Sequence, residues 1–415
     1  MRIAFVEDSI CNRFSPIALL RPVFELLCGC KSMRQRVLDQ LQPAEWGVLV
    51  RAELVEVYQE EFPEAKVNDF AWLNSGPTLL INARWLGDPR TLPHEQGAPH
   101  SSSPAMVRWL DPSQDQFDNL QEVDSLFATT AADQDRILQY PWDVIGFNGQ
   151  MIGLDAELLA ESGGTFRQDL ANCLSSGSDP ANVFVDPSVK IEPYVSMNAE
   201  AGPIVVAADV VLQSFTRLEG PCFIGRGSQL FRTNLRGETS IGPVCRVGGE
   251  IEASIIHGYS NKYHDGFLGH SYVCPWVNLG ALTTNSDLKN DYSTVKFCLG
   301  TEVIQTGEKK IGCLVGDHAK TTIGTLFNTG SNVGVMTMVL PAGKLCPKHI
   351  PSFTRLWQGV LDDQLDFEAA CQTAQTAMSR RKCEFTPAQR SLLEKVLKKT
   401  EQERSQAIAR FQKKS

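Results

Sequence analysis

The densest run of reactive side chains in this chain is His257-Gly258-Tyr259-Ser260-Asn261-Lys262-Tyr263-His264-Asp265-Gly266-Phe267-Leu268-Gly269-His270. An imidazole near its free pKa takes a proton from an amine as that amine attacks an acyl group, which makes these histidines candidates for a general base. Lys262 offers a cation for a phosphate, and Asp265 can orient an imidazole. The plainer alternative is a polar surface rung whose histidines are satisfied by their neighbours. Metal binding is the competing chemistry, but His264 and His270 are six apart. On the architecture read below, that spacing puts them on successive faces, where they do not converge on one ion within a subunit. A ligand from another subunit stays open.

These residues sit inside a repeat. Val206, Leu212, Leu218, Ile224 and Leu230 are six apart, as are Ile241, Val247 and Ala253. Val185, Ile191 and Met197 come before them, and Phe267, Val273 and Leu279 follow. Val315, Thr321, Phe327, Val333, Val339 and Leu345 close the series. A period of six fits neither a helix nor a simple amphipathic strand. It fits a prism whose short strands each send one aliphatic inward, a left-handed parallel β-helix of hexapeptide repeats over residues 185–350. The register breaks between Asn285 and Ile311, and the polar run Asn285 to Tyr292 reads as a loop thrown out from the coil, of the kind that builds binding sites.

Before the repeat, apolar runs at 3–6, 47–50 and 78–81 alternate with a helix pattern at 32–41, and a polar helix is expected around Leu120, Val123, Leu126 and Phe127. This reads as an α/β domain over residues 1–173, followed by a linker at 174–184. The segment from Pro93 to Pro104, rich in His, Ser and Gly, reads as a flexible surface excursion. After the repeat, residues 351–415 read as a helical tail. Phe367, Ala370, Cys371, Ala374 and Met378 share one face, and Thr386-Pro387 with Gln389 forms a capping box that opens a second helix.

Net charge is −9 over 415 residues, which argues against a general nucleic-acid binder. From Arg380 onward 11 Lys/Arg face 4 Asp/Glu, a local +7, so the rest sums to −16. That basic tail reads as a solvated helix or as one that meets an acidic surface. The opening residues lack the apolar core of a signal peptide, and no stretch has the length of a membrane span. The 12 cysteines form no metal-like CxxC pair. Reduced thiols in a cytoplasmic protein are the expectation.

Two segments carry a family resemblance. His264-Asp265-Gly266-Phe267-Leu268-Gly269, then Val277-Asn278-Leu279-Gly280-Ala281 and Thr283-Thr284-Asn285, resemble the acetyltransferase half of GlmU. That family is the bifunctional N-acetylglucosamine-1-phosphate uridyltransferase and glucosamine-1-phosphate acetyltransferase. The chain is most similar to its shorter sugar nucleotidyltransferase-like members, through Gly258 to Lys262, Gly266 to Tyr272 and Trp276 to Ala281. The resemblance implies His264 as catalytic base. It implies a substrate site holding Lys262, Phe267, His270 and Asn278, with Phe267 standing where the family has a tyrosine. Ala281 and Asn285 fall in the segment that lines acetyl-CoA. Cys274-Pro275 and Leu282 depart from the family pattern beside this site. The implied partners are a sugar phosphate and an acyl-CoA, and the implied assembly is a homotrimer with sites between subunits.

The N-terminal domain resembles the nucleotidyltransferase half in weakened form. Its phosphate loop, Val6-Glu7-Asp8-Ser9-Ile10-Cys11-Asn12, has no glycine, whereas Arg13, Pro16 and Arg21-Pro22 match the downstream signature. Acidic side chains where phosphates lie are unfavourable unless a metal bridges them. Weak or absent nucleotidyl transfer is predicted, with a sugar phosphate or nucleotide held by Arg13, Arg21, Lys31 and Asn82. A working nucleotidyltransferase would need Mg²⁺ on Asp8 or Asp88. Three functions follow: an amino-sugar-phosphate N-acetyltransferase fused to a degenerate nucleotidyltransferase domain; a sugar-1-phosphate nucleotidyltransferase whose repeat serves assembly; or a non-catalytic trimer that binds nucleotide sugars.

Overall fold

The computed structural model describes residues 1–93, 106–127 and 136–413. The expected excursion from Pro93 to Pro104 lies outside them after its first residue. The N-terminal part is built on a five-stranded sheet. In chain order its elements are β1 (Arg2–Val6), α1 (Met33–Leu41), β2 (Glu45–Leu49), α2 (Val55–Glu61), β3 (Lys66–Val67), β4 (Thr78–Asn82), β5 (Val107–Leu110) and α3 (Asp143–Glu161). The sheet order is β3-β2-β1-β4-β5, parallel except for the last pair. β1 and β4 are buried along almost their whole length, which is why both read as continuous apolar runs rather than alternating ones. Ser32 caps α1 by accepting from the Gln35 amide. The polar helix forms as Leu120–Asp124 with a 3-10 turn to Phe127.

The middle of the chain stacks short parallel strands into ladders. Nine of them, from Val183–Val185 to His349–Ile350, run parallel in one sheet. The column Val185, Val206, Ile224, Ile241, Ile256, Val273, Val315, Val333 and Ile350 is in register and buried. A second column runs Ile191, Leu212, Leu230, Val247, Lys262. A third runs Met197, Leu218, Leu235, Ile251, Leu268. The apolar members of all three share one core, and fully burying each such aliphatic contributes about 1.5–3 kcal/mol.

The six-residue reading locates most of the inward positions but fails at three, the first being Ala253, whose inward slot is taken by Ile251. Leu268 and Cys346 are buried where Phe267 and Leu345 were expected, and Leu345 is 56% exposed. Leu268 pairs with Ile251, and only five positions separate it from the inward Val273, so one side of this rung is a residue short. The stack also outruns its expected limits. Leu174 already bridges to Met197, and strands at Arg355–Trp357 and Val360–Asp362 extend it into the expected tail.

Outward residues of the nine-strand ladder, among them Val205, Phe223, Ile255, Tyr272 and Leu314, are buried in one cluster with the N-terminal core. Gly29 seals this contact at φ +85°, where an added Cβ would stand 2.5 Å from an Asp155 oxygen. Its carbonyl accepts from the Ser240 hydroxyl at 2.8 Å. The excursion between Asn285 and Ile311 folds into an antiparallel hairpin. Its Phe297 is buried 5.4 Å from the Trp142 ring, so the hairpin docks on the N-terminal part, while the polar run before it stays exposed at Asn290, Asp291 and Tyr292.

The tail forms α4 (Phe367–Ser379), α5 (Pro387–Lys399) and α6 (Glu401–Gln412). Cys371, Ala374 and Met378 are buried on α4, and the Thr386–Gln389 capping box opens α5. The basic tail meets acidic residues of its own chain, with Lys395 3.2 Å from Glu56 and Lys399 paired to Glu53.

Candidate functional site

The end of β1 carries Glu7 and Asp8, and both are consumed by buried arginines. Asp8 accepts from Arg84 Nε at 3.0 and 2.8 Å and from Asn82 Nδ2 at 2.9 Å. Glu7 pairs with Arg51 at 3.0 Å. Asn82 also accepts from the Arg84 amide, which leaves it no role as a free phosphate ligand. Asp88 caps a 3-10 turn and pairs with Arg90. Asp8 and Asp88 are therefore both tied to arginines and do not fit a magnesium ion. Among the described residues no group of three or more His, Cys, Asp or Glu is placed to hold a metal.

The expected basic residues of this domain separate. Arg13 is exposed, 5.8 Å from the Tyr140 ring centroid. Arg21 pairs with Asp317 of the stack: burial by itself would lower its pKa, and the carboxylate outweighs that and raises it. Lys31 pairs with Asp39 at 2.7 Å. Arg21 and Lys31 do border one cleft of about 610 Å³ between the N-terminal part, the stack and the tail, but Arg13 and Asn82 do not.

On the stack the expected residues also divide. Lys262 occupies an inward slot in register with Val247, and its Nζ donates to the carbonyls of Gly248 and His264, both at 2.9 Å. Burial pushes its pKa down to about 8. It is thus a positioning residue for the His264 backbone and not a phosphate ligand. His270 Nδ1 lies 2.8 Å from Asp287. Burial would raise the Asp287 carboxyl, and the bond to His270 outweighs this and lowers it. Asn285 is buried, its amide spent on both backbone groups of Gly269. Ala281 accepts from the Gly324 amide. Phe267 packs its ring over Gly269. None of these four borders the cleft described next.

His264 and Asn278 come together there. They line an open cleft of about 720 Å³ between the stack and the end of α4. The His264 imidazole is exposed, touches the Tyr263 ring at 5.6 Å and makes no hydrogen bond among the described residues. Asp265 does not orient it: its carboxylate makes no hydrogen bond to His264, and its backbone carbonyl accepts from Leu282. Asn278 is held by Asn261 Nδ2 at 2.7 Å. Tyr259 stacks on Trp276 at 4.5 Å to form one wall.

Four cations that border this cleft escaped the sequence reading: Arg246, Lys320, Arg380 and Arg381. The signal for the last two was present in the basic tail, whose helices are expected from sequence to pack on the stack or on a neighbouring subunit, but no local pattern places them at this cleft. Arg246 and Lys320 lie on outward positions next to Val247 and Thr321, visible once the inward register is known. Burial lowers Lys320 to about 8. Burial and the neighbouring Arg381 charge both lower Arg246. No Asp or Glu lines the cleft among the described residues.

Residues 3–163 match the sequence model of the sugar nucleotidyl transferase family. The chain is 29% identical over 92 residues to a bifunctional sugar-1-phosphate nucleotidylyltransferase/acetyltransferase of Sulfurisphaera tokodaii, covering 22% of this chain and 23% of that protein. It is 24% identical over 231 residues to the bifunctional protein GlmU of Rippkaea orientalis, 43% of this chain and 48% of the relative. It is 25% identical over 181 residues to GlmU of Prochlorococcus marinus, 34% and 36% respectively. The matches span less than half the length of these curated relatives. Among the described residues no helix is long and apolar enough to cross a membrane.

Proposed function

We propose that this chain, which is similar to GlmU proteins and to the sugar nucleotidyl transferase family over residues 3–163, is a transferase that acylates the amine of an amino sugar phosphate, with acetyl-CoA as donor. The observation that carries the reading is the unbonded His264 imidazole beside Asn278 in a cleft without carboxylates. In this reading the strand stack is a left-handed parallel β-helix, residues 185–350 are its acyltransferase domain, and residues 1–173 are a nucleotidyltransferase-like domain.

His264 removes a proton from the substrate amine as the nitrogen attacks the thioester carbonyl. The C–N bond forms, the C–S bond breaks, and the departing thiolate takes up a proton. Asn278 orients the sugar. Lys262 holds the His264 carbonyl and so sets the position of the base. The N-terminal domain is degenerate for nucleotidyl transfer, because its acidic residues are neutralised from within by Arg84 and Arg51. We further read the protein as a cytoplasmic homotrimer, for which the exposed Leu282 and Ile323 supply apolar surface.

The test is acetyl transfer from acetyl-CoA to glucosamine-1-phosphate, followed by mass spectrometry because the chain's own thiols would obscure a thiol-reactive dye. Wild type is expected to form product, and His264→Ala to lose about 10²–10⁴-fold in kcat. A variant as active as wild type removes His264 from the chemistry. No product across a panel of amino sugar phosphates overturns the acyltransferase reading.

A further inference from the structure

We infer that Arg380 and Arg381, carried by the end of α4, close with Arg246 of the stack into a clamp for a phosphate group held beside His264. This deepens the acyl-transfer reading by naming the handle of the ligand, and it rests on that reading only for the identity of the molecule that carries the phosphate.

The cations of this protein are unevenly satisfied. Four buried arginines of the N-terminal part are matched by carboxylates: Arg36 with Asp155, Arg51 with Glu7, Arg84 with Asp8, Arg34 with Glu25. The cleft inverts this pattern. Arg246, Lys320, Arg380 and Arg381 converge there, none is in an ion pair among the described residues, and no acidic side chain lines it. Like charges held together in a partly desolvated cleft repel, so the arrangement is unfavourable until an anion enters.

The geometry suits a phosphate. Arg246 is fixed by donating one guanidinium nitrogen to the carbonyls of Gly227 and Cys245, at 3.3 and 3.0 Å, so its remaining donors are oriented in advance. Arg381 lies close enough to perturb Arg246. Guanidinium groups match phosphate oxygens in a bidentate fork, which a single buried lysine such as Lys262 cannot do. The handle is a phosphate ester, and either the acceptor sugar phosphate or the phosphates of the acyl donor can supply it.

The first probe is inorganic pyrophosphate, titrated by calorimetry into the full chain at low salt. Wild type is expected to bind it, and binding is expected to weaken as salt is raised. The double variant Arg380→Gln/Arg381→Gln should bind about tenfold or more weakly, with melting no lower than that of wild type. Lys398→Gln, an exposed tail cation outside the cleft, should bind as wild type does. Equal affinity in the double variant, or no wild-type binding at millimolar pyrophosphate, overturns the clamp. In the acyl-transfer assay, a raised KM for glucosamine-1-phosphate alone assigns the clamp to the acceptor, and a raised KM for acetyl-CoA alone assigns it to the donor. If transfer runs and neither KM moves, the clamp falls. If no transfer is found yet pyrophosphate binding depends on the two arginines, the clamp stands and the acyltransferase reading falls.

Discussion

Two polar regions of this protein contain similar residue types and differ in how they are satisfied. At the end of β1, Glu7, Asp8, Asn82, Arg51 and Arg84 are buried and bonded to one another. At the cleft, His264, Arg380 and Arg381 face solvent without a protein partner among the described residues. The comparison teaches that charge content alone does not mark a site. A closed network has already used the hydrogen bonds that a ligand would need, and a ligand entering it would have to displace an ion pair. An open set of cations around a free imidazole leaves that capacity for a ligand.

The largest difference is expected in stability. Asp8→Asn leaves the fully buried Arg84 guanidinium without its counter-charge, and urea unfolding should show a loss of about 3–5 kcal/mol. His264→Ala, at an exposed position, should change stability by no more than about 0.5 kcal/mol. If the Asp8 variant is as stable as wild type and still folds, the closed network is not structural and the first half of the contrast fails.

A smaller effect should come from two histidines on the N-terminal side of the stack, His318 buried and His257 half-buried. His257 and His318 are each pushed down to about 3 by burial, helped by Arg21 and, for His318, by Lys320. Their folded pKa lies below the unfolded value near 6.5, so the unfolded chain binds more protons between those values. Stability is then fully present above about pH 6.5 and is lost as pH falls toward 3. At pH 5 the loss should be about 2 kcal/mol per histidine. Comparing urea midpoints at pH 7 and 5 in wild type and His318→Asn measures it; an identical pH dependence in both would remove His318 as a source.

Much of the fold was legible because periodicity is a local property. Val206, Ile224 and Ile241 announce their column by spacing, and the capping box at Thr386 is read from three adjacent types. Ala253, Phe267 and Leu345 were misplaced because sides of the stack differ in length, and a strict count cannot register a five-residue side. The site was half legible. His264 and Asn278 followed from the family resemblance and fall in one cleft. Lys262 was misjudged because a lysine in an inward slot looks identical in sequence to one on the surface. Arg380 and Arg381 were invisible as site residues because more than a hundred residues of chain separate them from His264, and only the packing of α4 brings them back.

Lys262 provides the finest test of the contrast, since it is a closed cation beside the open ones. Its slot follows Val247 in the column, and a methionine there has similar volume and no charge to desolvate. Lys262→Met removes the two donations to the Gly248 and His264 carbonyls, which offsets the gain, so stability near pH 7 should change by about 1.5 kcal/mol or less. The sign of the pH effect is fixed by the folded pKa near 8 against an ordinary lysine value of 10.5. Between those values the unfolded chain holds more protons, so wild type gains stability as pH rises, and the methionine variant should lose that rise. Pyrophosphate affinity should stay at the wild-type value, in contrast to the Arg380→Gln/Arg381→Gln pair. A Lys262→Met variant that loses pyrophosphate binding while keeping its melting curve would mean that the lysine turns outward in solution, and the boundary between closed and open cations would have to be redrawn.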